Sequence, residues 1–290
     1  SYYGAMAHTR VLKLNGEKKV KESSGGSGIK KQSFASNGLY ERVKKALKPA
    51  KERYREHLIK GLELARLGLF EYAELEFAAG GPALKGSIEK NMLSGDLFEM
   101  ANNFNKAYQI RDQVLNRMSE ARVEKMPFVF WKPFFPLSYW NNIERFSKKE
   151  GVDPFLVLSI IKQESVYDPM ALSAANASGL MQIMPKTGRR LYQQVFNKAG
   201  FHREFLFNPK INLQLGITYL SGLLSTYKSD LVLAIATYNA GPKPVKRWAA
   251  RYAGLPQDEF VEKIPYPETR KYVKKVLKNY VNYKELYSYQ

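Results

Sequence analysis

Glu164-Ser165 closes an apolar segment, and fourteen residues after the Glu begins the run Ser178-Gly179-Leu180-Met181-Gln182-Ile183-Met184-Pro185. This spacing sets one carboxylic acid beside a loop built of small, apolar and amide side chains. At a helix C-terminus a carboxyl group feels the partial negative charge of the last carbonyls, and apolar neighbours desolvate its anion. Both effects raise its pKa. A glutamic acid that keeps its proton near neutrality can pass it to a glycosidic oxygen, the general-acid step in cleaving a sugar chain. Most single glutamates are solvated surface groups, so the assignment depends on the elements that position this one.

Asp153 suits a helix N-cap and Pro154 the first helical position, while Phe155, Leu156, Val157, Leu158, Ile160 and Ile161 make the next residues apolar nearly all round. The pattern predicts a buried helix that runs out at Glu164. A second helix is expected after Asp230, through Leu231, Leu233, Ile235 and Ala236, stopping at Gly241-Pro242 and presenting Tyr238 and Asn239 from its last turn. Asp168, four residues after Glu164, precedes Pro169 and reads as a turn former, not a second catalytic acid. Glu204, Glu259 and Glu262 lie in polar surroundings without a motif. Cysteine is absent and His8, His57 and His202 are scattered, so no metal-ligand spacing exists, and Gly25-Gly26 opens no phosphate loop. No cofactor or metal is expected.

Four motifs occur in order: Gln163-Glu164-Ser165; Ala177 through Pro185; Ala236-Thr237-Tyr238-Asn239-Ala240-Gly241-Pro242; and Ile264-Pro265-Tyr266-Pro267-Glu268-Thr269-Arg270 followed by Tyr272 and Val273. Together they resemble the catalytic domain of the soluble lytic transglycosylases, bacterial enzymes that cut peptidoglycan between N-acetylmuramic acid and N-acetylglucosamine. The resemblance implies an all-α protein with a catalytic domain like that of goose-type lysozyme, a periplasmic location and peptidoglycan strands as substrate. It further implies single-acid chemistry. Glu164 protonates the leaving oxygen, the substrate's N-acetyl carbonyl attacks the anomeric carbon, and Glu164 then deprotonates the muramyl 6-hydroxyl to leave a 1,6-anhydro end.

The remaining site residues follow from the motifs and this likeness together. Ser173 bonds the N-acetyl group, orients the acid or simply forms a turn. Gln182 and Asn239 supply amides that read sugar hydroxyls and acetamides. Met184 is a wall for a sugar face or core filling, and Tyr238 either stabilises the intermediate or holds Glu164. Glu268 lines the cleft by resemblance, or else pairs with Arg270 or serves as a helix N-terminal acid; Tyr266 is a further sugar contact. Thr237 replaces the Ala often found in the family, and Asn176 the usual Gly. Two other readings share these residues: a goose-type-lysozyme-like hydrolase that admits water to the anomeric carbon, and a non-catalytic wall-binding scaffold.

At 290 residues the chain exceeds one ordinary domain. The divisions expected are a short helical remnant at 1–21, a flexible Ser/Gly-rich linker at 22–38, a helical linker domain at 39–136 and the catalytic domain at 137–290. Within the linker domain, Leu58, Leu62 and Ala65 predict a first helix, and Phe70, Ala73, Phe77 and Ala78 a second after Gly68. Leu93, Leu97, Met100 and Phe104 predict a third, and Ala107, Ile110, Val114, Leu115 and Met118 a fourth. The prolines of Pro127–Pro136 point to an extended aromatic strap. The net charge of +19 is shared: residues 151–290 hold 19 Lys and Arg against 10 Asp and Glu, and residues 1–150 hold 27 against 17. By charge alone an evenly basic chain suits nucleic acid, anionic lipid or an anionic polymer; the cluster Lys271–Lys278 reads as the solvated face of a helix whose other stripe is buried, and no nucleic-acid module is present. No apolar run is long enough to span a bilayer.

Overall fold

The computed structural model describes residues 36–46, 51–119, 126 and 128–287. The expected remnant at 1–21 and most of the expected linker lie outside these residues. The regular elements among the described residues are all helices, as the sequence pattern requires, with isolated bridges as the only β pairing among these residues. It divides into two compact units, meeting in sequence between Ser138 and Tyr139.

The first unit opens with α1 (Ser36–Ala46), which takes in the last three residues of the expected linker. Two helical hairpins follow, α2 (Glu52–Arg66) with α3 (Phe70–Gly80) and α4 (Ile88–Met100) with α5 (Phe104–Asn116). Their apolar stripes meet in one core containing Leu58, Leu62, Phe77, Leu97 and Phe98. Gly61 allows the first pair to close tightly, since a Cβ there would stand 2.5 Å from the Phe77 ring. Phe104, expected to extend the third helix, instead starts the fourth. Asn102 turns left-handed (φ 60°), and the Asn103 side chain accepts from the Lys106 N–H, capping the new helix. Met118 falls beyond the end of α5.

The expected extended strap is also corrected, because Phe128–Phe134 forms a 3₁₀ helix with Pro133 inside it. Proline's fixed φ suits that tighter helix, and its period of three brings the rings of Trp131 and Phe134 to 5.8 Å. Its Pro133 carbonyl accepts from the Arg111 guanidinium, which also reaches Glu99 and Asp96 at 2.6 and 2.8 Å.

The second unit is built around α7 (Pro154–Glu164), whose residues from Phe155 to Ile161 are all buried. Before it lies α6 (Trp140–Glu150); after it come α8 (Pro185–Phe196), α9 (Pro209–Thr226), α10 (Leu231–Ala240), α11 (Pro242–Arg251), α12 (Gln257–Lys263) and α13 (Pro267–Tyr287). Proline opens α7, α8, α9, α11 and α13, where its missing N–H is not needed. Side-chain caps from Asp153, Asn208 and Asp230 fix three of the starts.

Candidate active site

Glu164 is the last residue of α7, with α13 running antiparallel beside it. At the N-terminal end of α7, Asp153 accepts from Tyr280 Oη at 2.7 Å and from Lys284 Nζ at 3.1 Å. At the C-terminal end, Tyr272 Oη donates to Glu164 Oε1 at 2.5 Å. A buried pair of phenols, Tyr167 and Tyr283, adds a third tie at 2.8 Å. The long basic helix thereby fixes both the direction of α7 and the aim of its terminal carboxyl.

The Glu164 side chain keeps a partial opening to solvent, yet the protein packed around the carboxyl raises its pKa to about 7. Desolvation is the main cause. The Tyr272 hydrogen bond opposes it and the negative charge of Glu268 reinforces it. Burial and the Glu164 charge push the phenols of Tyr272 and Tyr238 well above their usual range, so both remain proton donors.

Beyond Glu164 the chain turns through Val166 (φ 49°) and Tyr167 (φ 63°), both left-handed and neither glycine. Each costs roughly 1–2 kcal/mol, most clearly for the β-branched Val166. Asp168 then accepts from the Met170 N–H, a turn contact. The segment 171–185 is folded back on itself by bridges pairing Leu172 with Ser178 and Ser178 with Ile183.

Three side chains hold this loop by its backbone. Ser165 Oγ donates to Leu180 O and Tyr238 Oη to Met181 O, both at 2.8 Å. Buried Asn212, on α9, donates to Ser178 O and Leu206 O and accepts from the Met181 N–H. Gly179 sits within that clamp at φ 77°, where a Cβ would stand 2.1 Å from Leu206 O. The motif's glycine is thus required twice over, by conformation and by space.

The expected site residues divide by what their polar atoms already do. Tyr238 holds Met181 O, so the expectation that it holds Glu164 is corrected; Tyr272 does so. Gln182 gives both amide hydrogens to the loop carbonyls of Ala171 and Gly179, leaving only Oε1 for a ligand. Ser173 Oγ accepts from the Ala177 N–H, a turn contact, and retains its own hydrogen to donate. Asn239 Oδ1 accepts from Thr269 Oγ1 at 2.7 Å, which leaves Nδ2 for substrate.

Met184 is 43% exposed, which removes the core-filling alternative. Tyr266 is 48% exposed and stands edge-on to Trp248 at 4.9 Å. Glu268 is exposed in the first turn of α13, and Arg270 turns away from it to the carbonyls of Glu262 and Ile264. Asn176, in place of the usual Gly, adopts φ 67°, a conformation asparagine tolerates. Thr237 is buried and donates to the Tyr227 hydroxyl.

Tyr272 and Asn212 were not among the expected site residues. Tyr272 stands in the fourth motif and in the apolar stripe of its helix, and the signal for its role is that a buried phenol requires a partner. Asn212 lies among Ile211, Leu213 and Leu215, where a polar residue on a buried face carried the same hint. Among the described residues no group of three or more His, Asp or Glu could hold a metal ion.

This arrangement fits a match over residues 141–261 to the family model described as Transglycosylase SLT domain. Those residues are similar to an SLT domain. The soluble lytic murein transglycosylase of Escherichia coli K12 is 36% identical over 145 residues, which make up 49% of this chain and 22% of that protein. The membrane-bound lytic murein transglycosylase C of Glaesserella parasuis is 34% identical over 120 residues, 38% of this chain and 32% of that one. The chain therefore aligns with only about a fifth to a third of such relatives.

Among solved structures, an inactive mutant of lytic transglycosylase Slt from Pseudomonas aeruginosa matches 98% of this chain and 41% of its own. Its TM-score is 0.63 at 24% identity. The 70 kDa soluble lytic transglycosylase of Escherichia coli matches 98% and 61%, with a TM-score of 0.55 at 20% identity. At these identities the likeness is one of fold alone, a lysozyme-like helical fold. Tyr266, Glu268 and Tyr272 lie beyond the SLT match, so their part in the site rests on their contacts alone.

Proposed function

We propose that the unit around Glu164 is a lytic transglycosylase acting on the glycan strands of peptidoglycan in the bacterial periplasm. The observation that carries this reading is one carboxyl poised at about pH 7, gripped by a phenol, at the mouth of a loop whose backbone is fixed by Ser165, Asn212 and Tyr238. A pKa near the working pH suits a group that must give and then take a proton. Glu164 donates to the oxygen between N-acetylmuramic acid and N-acetylglucosamine. As the bond breaks, the substrate's N-acetyl oxygen attacks the anomeric carbon, a substrate-assisted course that needs no protein nucleophile.

Glu164, now a carboxylate, removes the proton of the muramyl 6-hydroxyl, whose oxygen closes the 1,6-anhydro ring and displaces the acetamido oxygen. Proton and bond counts balance without water. Glu268 contributes negative charge that favours the positive character developing at the anomeric carbon. Asn239 Nδ2, Gln182 Oε1 and the Ser173 hydroxyl are the uncommitted polar groups for sugar and acetamide, with Met184 and Tyr266 as apolar surfaces.

The test is mass spectrometry of sacculi digested with wild type and with Glu164→Gln. Wild type is expected to release muropeptides with anhydromuramyl ends and the variant none. Reducible muramyl ends would establish hydrolysis instead, and release by the variant would remove Glu164 from the chemistry.

A further inference from the structure

Away from Glu164, α8 and α9 border an open surface pocket of about 270 Å³ that none of the preceding chemistry uses. Arg190 and Gln194 line it from α8, Thr218 and Tyr219 from α9, and Leu191 and Leu223 supply apolar wall. Where Gly222 faces it the lining is bare backbone, since a Cβ there would meet nothing within 4 Å.

Arg190 is the one charged residue that lines the pocket, beside neutral amide and hydroxyl groups. Arg190 makes no ion pair among the described residues, and no carboxylate lines the pocket. At the Tyr219 phenol the charged neighbour that matters is again Arg190, whose attraction for the phenolate opposes the effect of burial. The Thr218 hydroxyl oxygen is buried without a hydrogen-bond partner, and a turn about χ1, exchanging it with the methyl group, reorients it within its site. A free guanidinium above small apolar walls matches an anion whose adjoining groups are methyl-sized. The volume lies just under the ~300 Å³ at which drug-sized ligand sites begin.

We propose that this pocket binds the carboxylate end of a short peptide with small side chains, Arg190 pairing with the carboxylate and Leu191, Leu223 and Gly222 receiving the methyl groups. That the peptide belongs to the stems of the wall polymer rests on the function proposed above; the pocket's choice of a carboxylate does not. Tyr219 also packs on Tyr238 at 5.4 Å, one ring away from the loop beside Glu164.

The experiment is titration of the isotope-labelled protein with N-acetyl-D-alanyl-D-alanine, its C-terminal amide, and N-acetylglucosamine, followed by backbone amide shifts. The free acid is expected to give saturable shifts centred on 190–194 and 218–226. The amide is expected to bind at least about tenfold more weakly, as is the acid to Arg190→Gln, because each removes a charge-assisted pair. Gly222→Leu fills the pocket and should abolish binding. Arg190 and Gly222 are both exposed helix positions, so both variants should fold, and their circular dichroism should match wild type.

Equal binding of acid and amide, preference for the sugar, shifts elsewhere, or no saturable shift up to about 20 mM overturns the proposal. These results are independent of sacculus digestion: loss of wall cleavage leaves the peptide titration unaltered, and failure of the titration leaves cleavage standing.

Discussion

Replacing Tyr272 with Phe removes one oxygen from the site and tests its electrostatics directly. In the folded protein burial raises the Glu164 pKa to about 7, and the Tyr272 hydrogen bond is the force pulling it back down. A hydrogen bond to a charged group contributes on the order of 1.5–3 kcal/mol, and 1.36 kcal/mol corresponds to one pH unit. Loss of the phenol oxygen should therefore raise the Glu164 pKa by roughly one to two units. Glu164 must be protonated in the free enzyme to act as acid, so its pKa forms the alkaline limb of the kcat/KM profile. That limb should move from about pH 7 to about pH 8–9 in Tyr272→Phe, while kcat falls because the carboxyl is no longer aimed. The assay is release of soluble muropeptides from purified glycan strands between pH 5 and 10, with carboxyl titration followed by ¹³C NMR. Glu268→Gln should move the limb the opposite way, since it removes the charge that raises the pKa. A limb that stays in place or moves to acid in Tyr272→Phe would refute this account of the site.

Glu164→Gln should stabilise the fold. Its carboxyl holds a proton up to about pH 7 when folded but sheds it near 4.5 when unfolded, so stability is lost as pH rises through that window. Urea denaturation at pH 8 should show a gain of up to roughly 3 kcal/mol, absent at pH 4. Gly179→Ala should cost about 3 kcal/mol or more and lower activity, since its Cβ meets Leu206 O and its φ is left-handed; thermal unfolding and turnover measure both. Arg111→Leu should cost about 3–5 kcal/mol by urea denaturation, because Asp96 and Glu99 lose the buried cation between them.

Much of this protein is legible from local rules. The start of α7 follows from Asp153-Pro154 and its burial from an apolar run without polar interruption, so the position of Glu164 at a helix end needs no tertiary information. The same holds for α10, bounded by Asp230 and Gly241-Pro242. Local rules misplaced Phe104 and Phe128–Phe134, because a left-handed Asn and a proline-bearing 3₁₀ helix are both compatible with sequences that suggest something else.

Which side chains meet was decided only by the packing of distant segments. Tyr272 reaches Glu164 across 108 residues, and Asn212 clamps a loop more than thirty residues upstream. A helix pattern states which stripe is buried but not which partner lies against it, so the phenol that grips the acid reads in sequence as one more core aromatic. The residue types and the helix that could do acid chemistry were therefore written in the chain. The proton affinity of the acid was not, because desolvation and charge are properties of a three-dimensional neighbourhood.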